Sequence, residues 1–202
     1  MDLFEAIRRR RSTYKFRRTG VPREAIYRML DAARFAPSAG NLQTWEFIIV
    51  EQPTFRQHLA AACLNQAFVA EAPVVIVVCS DTERSAVKYG ARGKTFYSIC
   101  DASAATQNIM LTATALGLAT CWVGAFDDDK VRKVLGLPST IMPVAVVPVG
   151  YPAVEAVAPL RVPLSNSVHF EQYGKFDVQR TAEAETPQEK SARKKSLLDI
   201  FK

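Results

Sequence analysis

The sequence predicts a layered arrangement of helices and sheet in one main domain, and three observations carry that prediction. Short apolar runs, residues 47–50 and 74–79 above all, are strand-sized and rich in β-branched side chains. Between such runs stand stretches with apolar residues at helical spacing, such as Ile26, Met29, Leu30 and Ala33. No internal repeat interrupts this alternation, and 202 residues, 49% of them hydrophobic, are enough to bury a full core. Strands that alternate with helices are the pattern of layered folds.

Each element has a local reason. Asp2 is placed to cap a short first helix, whose Leu3, Phe4 and Ile7 are expected to face inward. Pro22 opens a second helix, and Pro37 closes the stretch that follows it. Residues 47–50 form a buried strand, 53–64 a helix and 74–79 a second buried strand. Residues 81–94 lack periodicity, contain Gly90 and Gly93 beside Arg84, Lys88, Arg92 and Lys94, and read as a functional loop or lid. The longest helix is expected over 96–116, rich in Ala, Ser and Thr, with Gly117 as its carboxyl-terminal cap. Its small side chains allow close approach by another helix, within the core or across a dimer interface. A third strand over 119–123, a helix from Asp127 to Gly136 and a fourth strand over 143–149 complete the order.

From about residue 177 the character changes. Residues 179–195 are polar, charge-mixed and free of aromatics, as expected of a linker, and residues 196–202 end the chain with Leu197, Leu198, Ile200 and Phe201. The predicted organisation is therefore a domain over 1–176 and an appendage over 177–202. The appendage could anchor a short helix in a weak protein partner, or dock on its own domain.

Composition excludes several classes. No apolar run approaches the roughly 20 residues of a membrane-spanning helix, and the amino terminus lacks the apolar core of a secretory signal, so a cytoplasmic protein is expected. Cys63, Cys79, Cys100 and Cys121 are widely spaced and read as buried structural thiols; His58 and His169 stand apart, and no metal site is expected. The net charge of +6 raises the question of nucleic acid, but apart from Arg8 to Arg11 the basic residues are spread rather than striped.

Two segments carry the chemistry. Arg10, Arg11 and Ser12 put two guanidinium forks beside a hydroxyl just after a helix, a donor set suited to a phosphate monoester. Residues 36–45, Ala-Pro-Ser-Ala-Gly-Asn-Leu-Gln-Thr-Trp, read as a polar loop that holds a planar ligand. With Asn65-Gln66, Ala72-Pro73, Asp101, Gln107-Asn108, the stretch from Cys121 to Phe126, Leu135-Gly136-Leu137-Pro138, Gly150-Tyr151-Pro152 and Arg161, these segments resemble the FMN-dependent nitroreductase family over residues 7–175.

That resemblance implies an α+β fold of three α/β/α-like layers around a mixed, largely antiparallel sheet. It implies a homodimer with two FMN molecules at the subunit interface, each contacted by both chains, and a carboxyl-terminal extension over about 160–176 that adds to the partner's sheet. Arg10, Arg11 and Ser12 match phosphate-side and ribityl-side positions, Tyr14 matches a further cofactor-binding position, and Arg161 matches a second phosphate arginine. Pro37, Ser38, Ala39, Asn41 and Gln43 match the loop at the isoalloxazine edge, some of them reaching the flavin from the other subunit. Asn65 matches an amide near the pyrimidine end, with a helix cap as the alternative. Trp122, Val123, Gly124 and Ala125 match the stretch that passes the reactive centre, with the Gly124 amide set to donate to flavin N5; a glycine lets backbone and ring approach closely.

The implied activity is ping-pong transfer of hydride from NADH or NADPH to a small-molecule electron acceptor: a nitroaromatic, a quinone, an enone or another flavin. No side chain need act as nucleophile or general base, so no catalytic residue is expected. Tyr14 and Phe68 depart from the family, since many members carry a cation at the first position and some at the second, near flavin N1 and O2. The alternative reading is a flavin-fold protein that acts mainly as a binding module through its tail.

Overall fold

The computed structural model describes residues 1–176, in two units: Met1–Ala156 and the part from Val157 onward. The expected linker and tail over 177–202 lie outside the described residues. No described helix is long and apolar enough to cross a membrane.

In the first unit, α1 (Leu3–Arg9), α2 (Arg23–Ala33), β1 (Trp45–Val50), α3 (Pro53–Ala62), α4 (Phe68–Glu71), β2 (Val74–Asp81), α5 (Thr82–Arg92), α6 (Ser98–Ala115), β3 (Ala119–Thr120), α7 (Asp128–Leu135) and β4 (Ile141–Gly150) follow in that order. The four strands form one sheet in the order β1-β2-β4-β3, and every ladder is antiparallel. The parallel element is a single bridge between Ser12 and Thr120. Helix–strand alternation alone would have favoured parallel crossovers; the α+β arrangement implied by the family resemblance is the one observed.

Strand β2 is buried along nearly its whole length because both of its faces are covered. Val74, Ile76 and Val78 point to the layer of α2 and α6, joining Ile26, Met29, Ala33, Ala105 and Ile109. Val75, Val77 and Cys79 point the other way, to a layer built with Leu59, Val69 and Val131 from α3, α4 and α7. The two-residue period of a strand thus feeds two cores at once.

Local signals hold in most places. The Asp2 carboxylate accepts the Glu5 N–H at 2.8 Å, and Asp127 does the same for Lys130 at 3.1 Å. Gly117 and Gly136 adopt left-handed φ values of 74° and 66° where their helices end.

Four expectations are corrected. Residues 82–92 form α5 rather than a loop; its apolar residues are few, so the helix has no apolar stripe to read, and its Asp81 cap was read as loop. The chain kinks at Gly90 (φ 56°, ψ −142°) and runs through a π-helical turn, Gly93–Tyr97, into α6. Leu3, Phe4 and Ile7 are exposed rather than inward, since among the described residues Ala6 alone of α1 is buried. The third strand is regular for two residues only, after which Val123 makes an isolated bridge to Val146. Cys100 is exposed on α6, unlike the buried Cys63, Cys79 and Cys121.

The second unit carries a 3-10 turn, Leu164–Asn166, and a small ring cluster in which His169 lies 4.5 Å from both Tyr173 and Phe176.

Candidate functional site

The predicted site residues of the first unit gather at two corners of the sheet. At the first corner, the segment after α1 runs beside the chain that follows α6. Ser12 bridges to Thr120, and the Thr13 N–H donates to the Thr120 carbonyl at 3.0 Å. This pairing brings Arg10, Ser12 and Tyr14 alongside Cys121 and so toward Trp122, Val123, Gly124 and Ala125. Burial raises the Cys121 thiol above its usual range, while the Ser12 and Tyr14 hydroxyls and the Arg10 charge partly offset that rise. The thiol is thus kept neutral beneath three polar side chains.

Arg11 behaves differently from its neighbour. Its Nη1 donates back to the carbonyls of Arg8 and Arg10, so part of its fork closes the end of α1. Asn65 follows Leu64, and both stand in the left-handed region at φ 59° and 55°. The neighbouring Gln66 amide donates to the Cys63 carbonyl at 2.9 Å and the Ala125 carbonyl at 3.1 Å, which ties this turn to the Gly124 segment. Asn65 is exposed beside that tie and forms no side-chain cap there. The Tyr14 and Phe68 rings meet edge to face, with centroids 5.0 Å apart and planes at 84°. The two positions that depart together from the family pattern are thus in direct contact.

Gly124 is exposed, and an added Cβ there would meet nothing closer than Trp122 Nε1 at 3.7 Å. Nothing among the described residues requires a glycine at that position.

At the second corner stands the loop over 37–43. Gly40, Asn41 and Gln43 have φ values of 57°, 58° and 50°. The Ser38 hydroxyl accepts the Gln43 N–H at 3.0 Å, and Arg84 of α5 donates to the Gln43 carbonyl at 2.7 Å. A Cβ at Gly40 would lie 2.5 Å from the Tyr89 hydroxyl and 2.6 Å from the Lys88 ammonium, so α5 presses directly on the loop. Asp101, at the opposite side, accepts the Ala39 N–H at 2.9 Å.

The corners are far apart within one chain. The loop leads into β1 beside Asp101, near the amino-terminal end of α6, whereas Thr120 lies beyond the carboxyl-terminal end of that helix. From Asp101 to Ala115 alone, the 15 residues of α6 span about 21 Å at a rise of 1.5 Å per residue. The register agrees, since Trp45 and Thr120 meet the sheet at its opposite edges and ends, near Met142 and Val149. Arg161 belongs to the second unit and is exposed there.

A family model described as the nitroreductase family matches residues 7–71 and 54–151. The chain belongs to the nitroreductase family. A protein of Methanothermobacter thermautotrophicus with the provisional name NADH dehydrogenase/NAD(P)H nitroreductase is 36% identical over 157 residues, covering 76% of this chain and 78% of its own. The FMN reductase (NADPH) of Bacillus subtilis is 26% identical over 185 residues, covering 85% and 74%. Among solved structures, a nitroreductase family protein of Clostridium difficile is 31% identical with a TM-score of 0.74, covering 85% of this chain and 99% of that one.

Proposed function

We propose that this NAD(P)H-dependent oxidoreductase carries FMN in a site assembled from two copies of the chain, with Arg10, Ser12 and Gly124 from one and the 37–43 loop from the other. The observation that carries this reading is the separation of the two corners at opposite ends of α6, each holding part of the residue set that the family resemblance assigns to the flavin. A symmetric dimer with antiparallel long helices would bring unlike corners together twice.

Other features support a partner copy. Leu3, Phe4 and Ile7 form an exposed apolar face on α1 that no other described residue covers. Strand β1 is a sheet edge without a partner strand among the described residues, and beside it a groove of about 250 Å³ is lined by Ile48, Phe55 and Leu135. The segment from Val157 to Val162 lies outside any helix or strand and exposes Val157, Leu160 and Val162. Such a segment, continuing through about residue 176, suits addition to the partner's β1 edge.

The residues fit the cofactor. Arg10 and Ser12 supply cationic and hydroxyl donors for its phosphate side; Arg161 is assigned a second phosphate contact by the family resemblance alone. Arg11 shapes the end of α1 through its contacts to the Arg8 and Arg10 carbonyls. Gly124 leaves room for a ring to approach its backbone N–H, and Asn65 offers an amide to the pyrimidine end. When bound, FMN accepts hydride from NADH or NADPH and passes it to an electron-poor acceptor such as a nitroaromatic, a quinone, an enone or another flavin. The chain's part is to bind, to orient and to exclude water; no side chain is needed as nucleophile or general base. Tyr14 and Phe68 form a neutral edge-to-face pair where the family often holds one cation and some members a second, so this chain gives less stabilisation to an anionic reduced ring.

The visible absorption spectrum of purified protein, before and after anaerobic addition of NADH and then NADPH, tests the reading. Yellow protein that releases FMN and bleaches with a pyridine nucleotide is the expected result. Colourless protein that fails to take up added FMN would overturn it.

A further inference from the structure

The loop over 37–43 is held from within the core by one carboxylate. Asp101 is 4% exposed, in the first turn of α6. Its Oδ1 accepts the Ala39 N–H at 2.9 Å, and its Oδ2 accepts the hydroxyl of the fully buried Thr44 at 3.0 Å. Thr44 Oγ1 lies 3.4 Å from Ser80 Oγ, whose hydroxyl donates to the Ser98 carbonyl at 2.9 Å. A polar chain thus runs from the loop through Asp101 to β2 and back to the start of α6. No lysine or arginine pairs with Asp101 among the described residues.

A buried carboxylate without a cation is costly, so its presence calls for a task that an apolar side chain could not perform. Its two oxygens receive donors from the two ends of one short arch, Ala39 and Thr44. Inside that arch Gly40, Asn41 and Gln43 all stand in the left-handed region, and two of the three are not glycine. Backbone of this kind persists only where its surroundings over-determine it. From outside, α5 contributes Arg84 on the Gln43 carbonyl; from inside, Asp101 fixes both ends.

We propose that Asp101 is the positioning residue of the flavin-facing loop: its carboxylate clamps Ala39 and Thr44 so that Ser38, Asn41 and Gln43 are presented in one fixed conformation before FMN arrives. Asp101 itself touches no ligand. The inference rests on the FMN reading above, and it adds that the loop's affinity for the ring comes from order imposed by the core.

The test uses the full-length protein with three substitutions: Asp101→Ala, Asp101→Asn and Thr44→Val. FMN titration gives the dissociation constant, and amide hydrogen exchange of the FMN-free protein compares residues 39–44 with β2. Asp101→Ala is expected to weaken FMN binding at least fivefold, to speed loop exchange well beyond any change in β2, and to alter the band shape of the bound flavin. Asp101→Asn keeps an acceptor for the Ala39 N–H and should fall between the parent and the alanine variant. Binding by Asp101→Ala within fivefold of the parent, or loop exchange that rises no more than that of β2, overturns the proposal. Where Asp101→Ala does not fold, Thr44→Val, which removes one arm of the clamp at nearly constant volume, is judged by the same criteria. If the parent protein takes up no FMN, the flavin reading fails, and the exchange comparison still decides whether Asp101 orders the loop.

Discussion

The two corners of the sheet are built in opposite ways. The corner of Arg10, Ser12 and Gly124 is held by backbone pairing with Thr120, and its polar side chains stand over a buried, neutral thiol. The loop corner has little pairing of its own and is kept in a left-handed path by side chains from α5 and α6. The first corner can lose a ligand-facing side chain and keep its shape. The second depends for its shape on residues that need not touch the ligand.

That contrast predicts the largest effect for Arg10→Ala. Hydrogen bonds to charged groups are worth about 1.5–3 kcal/mol, so FMN should bind roughly ten- to a hundredfold more weakly while the melting temperature stays near the parent's. A large fall in melting temperature with unchanged FMN affinity would place Arg10 in the frame of the fold instead. Gly124→Ala sharpens the same point: the added Cβ has ordinary contacts at 3.7 Å, so folding stability should change by less than about 0.5 kcal/mol, yet FMN affinity should drop about tenfold. Equal FMN binding by this variant would show that no ring passes there.

Tyr14→Lys restores a cation beside Phe68 and should move the flavin midpoint potential upward, since a positive charge favours the reduced anionic form. An unchanged or lower potential would place the ring elsewhere.

The smallest effect concerns the thiols. Burial pushes Cys63 and Cys79 up to about 12, so the fold favours their neutral forms. Their contribution is fully present below the ordinary thiol range near 9 and is lost as pH rises toward 12, so thermal stability should decline across that window. At pH 8 a thiol reagent should label Cys100 and leave Cys63, Cys79 and Cys121 unmodified in the folded protein; rapid labelling of all four would contradict the burial described.

Much of this was legible in the residues. Asp2 and Asp127 at helix starts, Gly117 and Gly136 at helix ends, and the apolar run of β2 each encode their element locally. Helix α5 was not legible, because it lies against the 37–43 loop and has few apolar residues to mark it; its Asp81 cap was there to be read. The inward-facing expectation for Leu3, Phe4 and Ile7 followed from their spacing, but periodicity says which residues share a face and not what covers it. The site shows the same limit. Its residue types could be matched one by one, whereas the distance between its two halves is a property of the sheet order and of the length of α6.

The most direct measurement mixes two proteins impaired in FMN binding, at an FMN concentration that fills only intact sites. One carries Arg10→Ala, the other Asn41→Ala with Gln43→Ala; each is unfolded and refolded alone and then together, and bound FMN and NAD(P)H oxidation are measured. If each site draws one corner from each chain, a mixed dimer holds one site with both lesions and one intact site. In a random equal mixture about a quarter of all sites should then recover FMN and activity. No recovery in a mixture that demonstrably exchanges subunits would mean that both corners serve a site within one chain, and would contradict the account.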